Sequence, residues 1–69
     1  MELTAILGSY LTRRGYFVRL ETRERRVVRE SPCFATIAEA KAAYPHITGW
    51  RDPGADAELD VIAIAAVGA

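Results

Sequence analysis

The chain has 69 residues, of which 51% are hydrophobic and 26% charged, and nine basic side chains balance nine acidic ones. This length fits one domain, which buries only about 60% of the surface of its unfolded chain, and the apolar fraction excludes an intrinsically disordered protein. The single cysteine, Cys33, excludes an internal disulfide and indicates either a reducing compartment or a thiol without a role.

Both ends of the sequence predict a cytosolic protein. The N-terminal stretch carries Glu2 and places its basic residues after the apolar run, which is the reverse of a secretory signal peptide. The apolar tail "VIAIAAVGA" is too short to cross a membrane.

Residues 2–14 are predicted to form a first helix. Their apolar side chains recur every three or four positions, at Leu3, Ile6, Leu7, Tyr10 and Leu11. Gly15 follows at the position where a left-handed C-terminal cap is favoured.

A β-hairpin is predicted next. Residues 16–22 alternate, which directs Tyr16, Val18 and Leu20 to one face of a strand. The return strand "RVVRES" is stopped by proline. Because the connection contains neither Gly nor Asn, a loose turn around Arg23–Arg25 is favoured over a tight two-residue turn.

The stretch "FATIAEAKAAYP" predicts a second helix over residues 37–44. Thr36 and Glu39 match the capping box, in which each side chain satisfies a backbone amide at the helix start. The residues Ile37, Ala40 and Tyr44 then line one face of the helix. The many alanines allow it to lie close against a sheet.

Two further strands are predicted, a short one in "HITGWRD" and a longer one in "ELDVIAIAAVG", which is apolar on both faces. The loop "DPGADA" joins them. The order α-β-β-α-β-β predicts one α+β domain over residues 1–69, an antiparallel sheet with two helices packed on one face. Since the other face then lacks a cover, a homodimer remains an open alternative.

No constellation of residues predicts catalysis. The chain has one histidine, His46, and no CxxC or HExxH motif. Nothing local suggests that Cys33 and His46 act as nucleophile and base. A solvated loop is the favoured interpretation of the acidic side chains Asp52, Asp56, Glu58 and Asp60, and an acidic surface that mimics nucleic acid phosphates is the alternative. The sequence therefore predicts neither an enzyme nor a metal or cofactor site.

Arginines dominate the predicted hairpin. The first thirty residues hold seven arginines against four glutamates, and the remaining residues carry the compensating negative charge. The candidate binding residues of this ribbon are Arg19, Arg23, Arg25, Arg26 and Arg29. Tyr16 and Trp50 are candidate apolar anchors, although core packing is the favoured interpretation of Trp50.

Three interpretations of the arginines are open. In the first, Glu21, Glu24 and Glu30 pair with them across the hairpin and the ribbon is a solvated face. In the second, the ribbon binds nucleic acid, because arginine chelates phosphates and a two-stranded ribbon fits a major groove. In the third, it binds an acidic patch on a protein. The pI of about 6.6 favours a protein partner over nucleic acid.

The stretch "YFVRLETRERRVVRE", followed by "FATIAEAKAAY", resembles the strand-strand-"F-x-T-x-x-E-A"-helix junction of the arm-type DNA-binding domains of phage integrases. That resemblance implies DNA binding. The integrase domains have three strands before the helix and no apolar strand after it, whereas two before and two after are predicted here.

The chain as a whole is similar to small single-domain proteins of phages and mobile elements, including anti-CRISPR proteins. These are short, α+β and cysteine-poor, and they act by occupying the surface of a host protein. The resemblance implies a non-enzymatic inhibitor of a bacterial complex. The expected function is therefore protein binding through the arginine-rich hairpin, with nucleic-acid binding by the same ribbon as the alternative and a purely structural homodimer as the third.

Overall fold

A computed structural model describes residues 2–55 and 57–67. In this part of the chain, one antiparallel sheet carries a single short helix on one face. The elements in chain order are β1 (Leu3–Ser9), β2 (Tyr16–Glu21), β3 (Val27–Glu30), α1 (Ile37–Ala42) and β4 (Val61–Val67). The order of strands across the sheet is β3-β2-β1-β4.

The predicted α+β fold with two helices is wrong, because residues 3–9 of the supposed first helix form strand β1. This strand lies in the middle of the sheet and pairs with β2 on one side and β4 on the other. Ala5, Ile6 and Leu7 are all buried, so both faces of the strand are apolar. A run of apolar residues on both faces contains helical spacing by chance. The protein is mostly β.

The short strand predicted in "HITGWRD" is also wrong. Only Arg51 pairs with the sheet, through two backbone hydrogen bonds of 2.9 and 3.0 Å to Ile64 of β4. The longer apolar strand is confirmed as β4, which lies beside β1.

The predicted hairpin is confirmed as β2 and β3, and its return continues beyond β3. Ser31 is buried, and its hydroxyl accepts a 2.8 Å hydrogen bond from the backbone N–H of Val18. Beyond it, Phe34 and Tyr16 exchange two backbone hydrogen bonds of 2.8 Å. These contacts hold residues 31–34 against the start of β2.

The second predicted helix is confirmed in position, although α1 ends two residues earlier than expected. Thr36 accepts a 3.1 Å hydrogen bond from the Glu39 amide, and the Glu39 carboxylate accepts one from the amide of Ala35. This is the reciprocal pattern of a capping box, except that the Glu39 carboxylate binds the amide of Ala35 and not that of the N-cap residue Thr36.

The core lies between the helix and one face of the sheet, which we call the covered face. Ala40 of α1 is fully buried against Leu7 and Val18. Small side chains on β1 and β4 allow this close approach. The chain after the helix completes the cover with Tyr44, Ile47 and Trp50.

Candidate functional site: the arginine-rich hairpin

The turn between β2 and β3 is built from three residues, Arg23, Glu24 and Arg25. The Thr22 carbonyl accepts a 2.9 Å hydrogen bond from the amide of Arg25, and the Thr22 hydroxyl accepts one from the amide of Arg26. Arg25 has a φ of 65°, in the left-handed region. The loose turn predicted around Arg23–Arg25 is confirmed, and it is the three-residue loop that normally places Gly at this left-handed position.

We expect Arg25→Gly to raise the free energy of unfolding by about 0.5–1 kcal/mol. The left-handed conformation costs an L-residue about 1–2 kcal/mol, and the greater unfolded-state entropy of glycine offsets part of the gain. The measurement is urea denaturation of Arg25→Gly and of Arg26→Gly in parallel. The backbone at Arg26 is not left-handed, so Arg26→Gly should be destabilising. Equal destabilisation by both variants would contradict a strained turn.

Strand β3 forms one edge of the sheet among the described residues, and all four of its residues are exposed. Val27 and Val28 retain 47% and 49% of their accessible surface. A β-bulge lies where Leu20 faces Arg29 but the next residue, Glu21, already faces Val27. Bulges and charged residues are common devices that keep an edge strand from uncontrolled pairing.

The predicted cross-hairpin ion pairs do not form among the described residues. Arg19 instead pairs with Glu21 on the same strand, at 2.8 Å between Nε and Oε2. Arg23 pairs loosely with Glu2, at 3.4 Å and with both side chains exposed. The hairpin cations without an ion pair in the described part of the chain are Arg25, Arg26 and Arg29.

The structure exposes four of the candidate residues on the hairpin and places the other three elsewhere. The exposed arginines are Arg23, Arg25, Arg26 and Arg29. Arg29 faces Leu20 across the hairpin, and Leu20 packs on the covered face, so Arg29 lies on that side of the sheet. Arg19 is mostly buried on the opposite side of β2 from Val18, with its guanidinium 5.2 Å from the ring centre of Phe17.

The two candidate apolar anchors are not at the turn. Tyr16 lies at the other end of β2 and is half buried. Trp50 is half buried on the covered face, where it packs against both groups of core residues.

The remaining chemistry-bearing side chains are dispersed. Cys33 is an exposed free thiol near the carbonyl of Arg14, whereas the His46 ring packs near that of Tyr44. Within the described ranges, no three His, Cys, Asp or Glu side chains are arranged to hold a metal ion. Of the acidic residues in the last loop, Asp52 accepts a hydrogen bond from the amide of Gly54, and Asp56 lies outside the described residues.

A second feature, which the sequence did not reveal, is a groove on the face of the sheet opposite α1. We call this the open face. Its floor is formed by Thr4, Ile6, Ile64 and Ala66, and its volume is about 770 Å³. Successive side chains of a strand point to opposite faces of a sheet. The sequences of β1 and β4 would therefore have predicted which residues form this face, if β1 had been recognised as a strand.

Comparisons with protein-family models, with curated proteins and with solved structures each return no significant match. The geometry of the hairpin and of the open face is therefore the basis for the function. Among residues 2–55 and 57–67, no helix combines the length and apolar character needed to span a membrane.

Proposed function

We propose that the protein is a non-enzymatic interaction module that binds an acidic surface of a protein partner through its arginine-rich hairpin. The observation that carries the proposal is the exposed, uncompensated charge of Arg25, Arg26 and Arg29, which have no ion pair among the described residues. Arginine is enriched at the energetic centres of protein interfaces, because its planar guanidinium binds carboxylates in a bidentate way.

The backbone at the turn supports the same proposal. Arg25 occupies a left-handed position at which glycine would be more stable. Strained positions of this kind cluster at sites of function, where the side chain is needed despite its cost. The exposed Val27 and Val28 add apolar area beside the charges.

The partner that we propose is a bacterial protein complex, inhibited in the manner of the small phage proteins described above. The proposed setting is the cytosol, which the single free thiol of Cys33 favours. No metal or cofactor is needed for such an activity, since occupying a surface requires no chemistry.

Nucleic-acid binding by the same ribbon is the second candidate, and one observation favours it. In the described part of the chain three strands precede α1, as in the arm-type domains of phage integrases, and not the two that were predicted. Strand β4 after the helix remains a departure from that pattern. Glu24 and Glu30, interleaved with the arginines, oppose binding to a polyanion.

Fluorescence anisotropy with random duplex DNA and with RNA distinguishes the two candidates. We expect only weak binding at low ionic strength and none at physiological ionic strength, because a neutral chain with a few exposed arginines releases few counterions. Tight binding that falls steeply with salt, and that Arg26→Glu/Arg29→Glu abolishes, would overturn the protein-partner proposal in favour of nucleic acid.

A further inference from the structure

The open face of the sheet has no helix over it in the described part of the chain. The register of β1 places Ile6 opposite Arg19 of β2 and opposite Ile64 of β4, so these three side chains share that face. Ala66 is exposed on the same face. Ile6 is already buried in the single chain, so the apolar surface that stays accessible in the groove includes Ile64 and Ala66, beside the Arg19–Glu21 ion pair of β2.

The charges that line the groove sum to zero. Three are arginines and three are glutamates, namely Arg19, Arg23, Arg25, Glu2, Glu21 and Glu58. Two arginines have glutamate partners within the molecule. Arg25 and Glu58 line the groove without an ion pair among the described residues. A groove of zero net charge does not favour a partner of either sign.

The two unpaired charges lie at opposite corners of the open face. Arg25 is in the turn beside the start of β1, where Thr4 pairs with Glu21. The carbonyl of Glu58 accepts a 3.1 Å hydrogen bond from Val61, which faces Gly8 near the end of β1. A surface with a cation at one corner and an anion at the opposite corner complements a copy of itself about a two-fold axis.

The size of the molecule sets an upper bound on such an interface. The principal-axis extents are 31 × 26 × 20 Å, and a standard interface takes about 800 Å² from each partner. A dimer of standard size would therefore bury most of one of the larger sides of the molecule.

We propose that the open face is the interface of a homodimer, in which a two-fold axis sets Arg25 of each copy against Glu58 of the other. The dimer uses Arg25, so of the three hairpin arginines without an ion pair only Arg26 and Arg29 stay free for the partner proposed above. Arg26 and Arg29 do not line the groove, so a dimer presents two free arginine surfaces.

Exchanging the charges of Arg25 and Glu58 tests the dimer, and sedimentation equilibrium measures the association of each variant. We expect the wild-type protein to dimerise, and Arg25→Glu and Glu58→Arg each to weaken the dimer by about tenfold or more, because each single variant opposes like charges at both contacts. An equimolar mixture of the two variants should recover the wild-type association, since both contacts of the heterodimer then pair opposite charges. The double variant should recover it as well.

Two further variants serve as controls. Ala66→Glu places a charge on the exposed floor and should give a folded monomer, whereas Glu24→Arg, at an exposed turn position outside the groove, should leave the dimer unchanged. Far-UV circular dichroism checks that each variant is folded. A monomeric wild type, or a mixture of the two charge variants that stays monomeric, would overturn the proposal and leave the open face to a different partner.

Discussion

Replacement of Leu7 by alanine is expected to lower the free energy of unfolding by about 3 kcal/mol, within the range of 2–5 kcal/mol for buried Leu→Ala changes. Leu7 is fully buried on β1, where it packs against Val18, Ala40 and Ala63. A domain of this size has a total stability of only about 3–10 kcal/mol. Thermal or urea denaturation should therefore show a variant that is partly unfolded at room temperature or close to it.

Leu11→Ala is the matched control. Leu11 lies on the same apolar stripe as Leu7 in the helix that the sequence predicted, but it is 74% exposed in the structure. We expect its replacement to change the stability by less than about 0.5 kcal/mol. Similar losses for the two leucines would contradict the strand and support a helix over residues 2–14.

Gly8→Ala is expected to destabilise the protein by about 2 kcal/mol, within the range for overpacking a core. A Cβ atom at this position would lie 2.5 Å from Cζ of Phe17 and 2.8 Å from the carbonyl oxygen of Asp60. Phe17 is buried and the carbonyl belongs to the backbone, so neither moves freely. In a helix the same replacement would be stabilising by about 1 kcal/mol, so the sign of the change in a urea titration decides between the two structures.

Phe17→Leu provides the control for this contact. Alone it removes packing from the open face, where the Phe17 ring lies 5.2 Å from that of Tyr10. Combined with Gly8→Ala it should cost less than the sum of the two single changes, because the shorter side chain makes room for the new methyl group. Full additivity would indicate that the two residues are not in contact.

The elements predicted correctly are those whose signals are local. The alternation of "YFVRLE" specifies β2, and the Thr36–Glu39 pair specifies the start of α1. The absence of Gly and Asn from the turn favoured a longer loop over a two-residue loop. Each of these signals depends on neighbours within a few residues, which the sequence displays directly.

Strand β1 could not be predicted in the same way, because its environment is set by distant parts of the chain. Its neighbours are β2 and β4, and β4 begins more than fifty residues after β1. A strand that is buried on both faces loses the polar alternation by which strands are recognised. The error at β1 then gave a wrong fold class, and although an uncovered face of the sheet was predicted, the residues that form it were not.

The candidate site was predicted only in part, for a comparable reason. The exposure of Arg23, Arg25, Arg26 and Arg29 on one hairpin follows from their proximity in sequence. Their lack of glutamate partners does not, because it depends on the bulge in β3 and on the direction of each side chain. The inward position of Trp50 likewise depends on packing against residues far away in the sequence.

Capture from a bacterial lysate with matched charge variants tests the proposed hairpin site most directly. The nuclease-treated lysate is passed over the immobilised wild-type protein, Arg26→Glu/Arg29→Glu and Arg13→Glu/Arg14→Glu, and the retained proteins are quantified by mass spectrometry. The two variants change the net charge equally, but Arg13 and Arg14 are exposed in the β1–β2 connection, away from the hairpin turn. We expect one protein or complex to be retained by the wild type and by Arg13→Glu/Arg14→Glu, and to fall at least about tenfold with the hairpin variant. Equal retention by all three proteins, or an equal loss with both variants, would contradict a binding site on the hairpin.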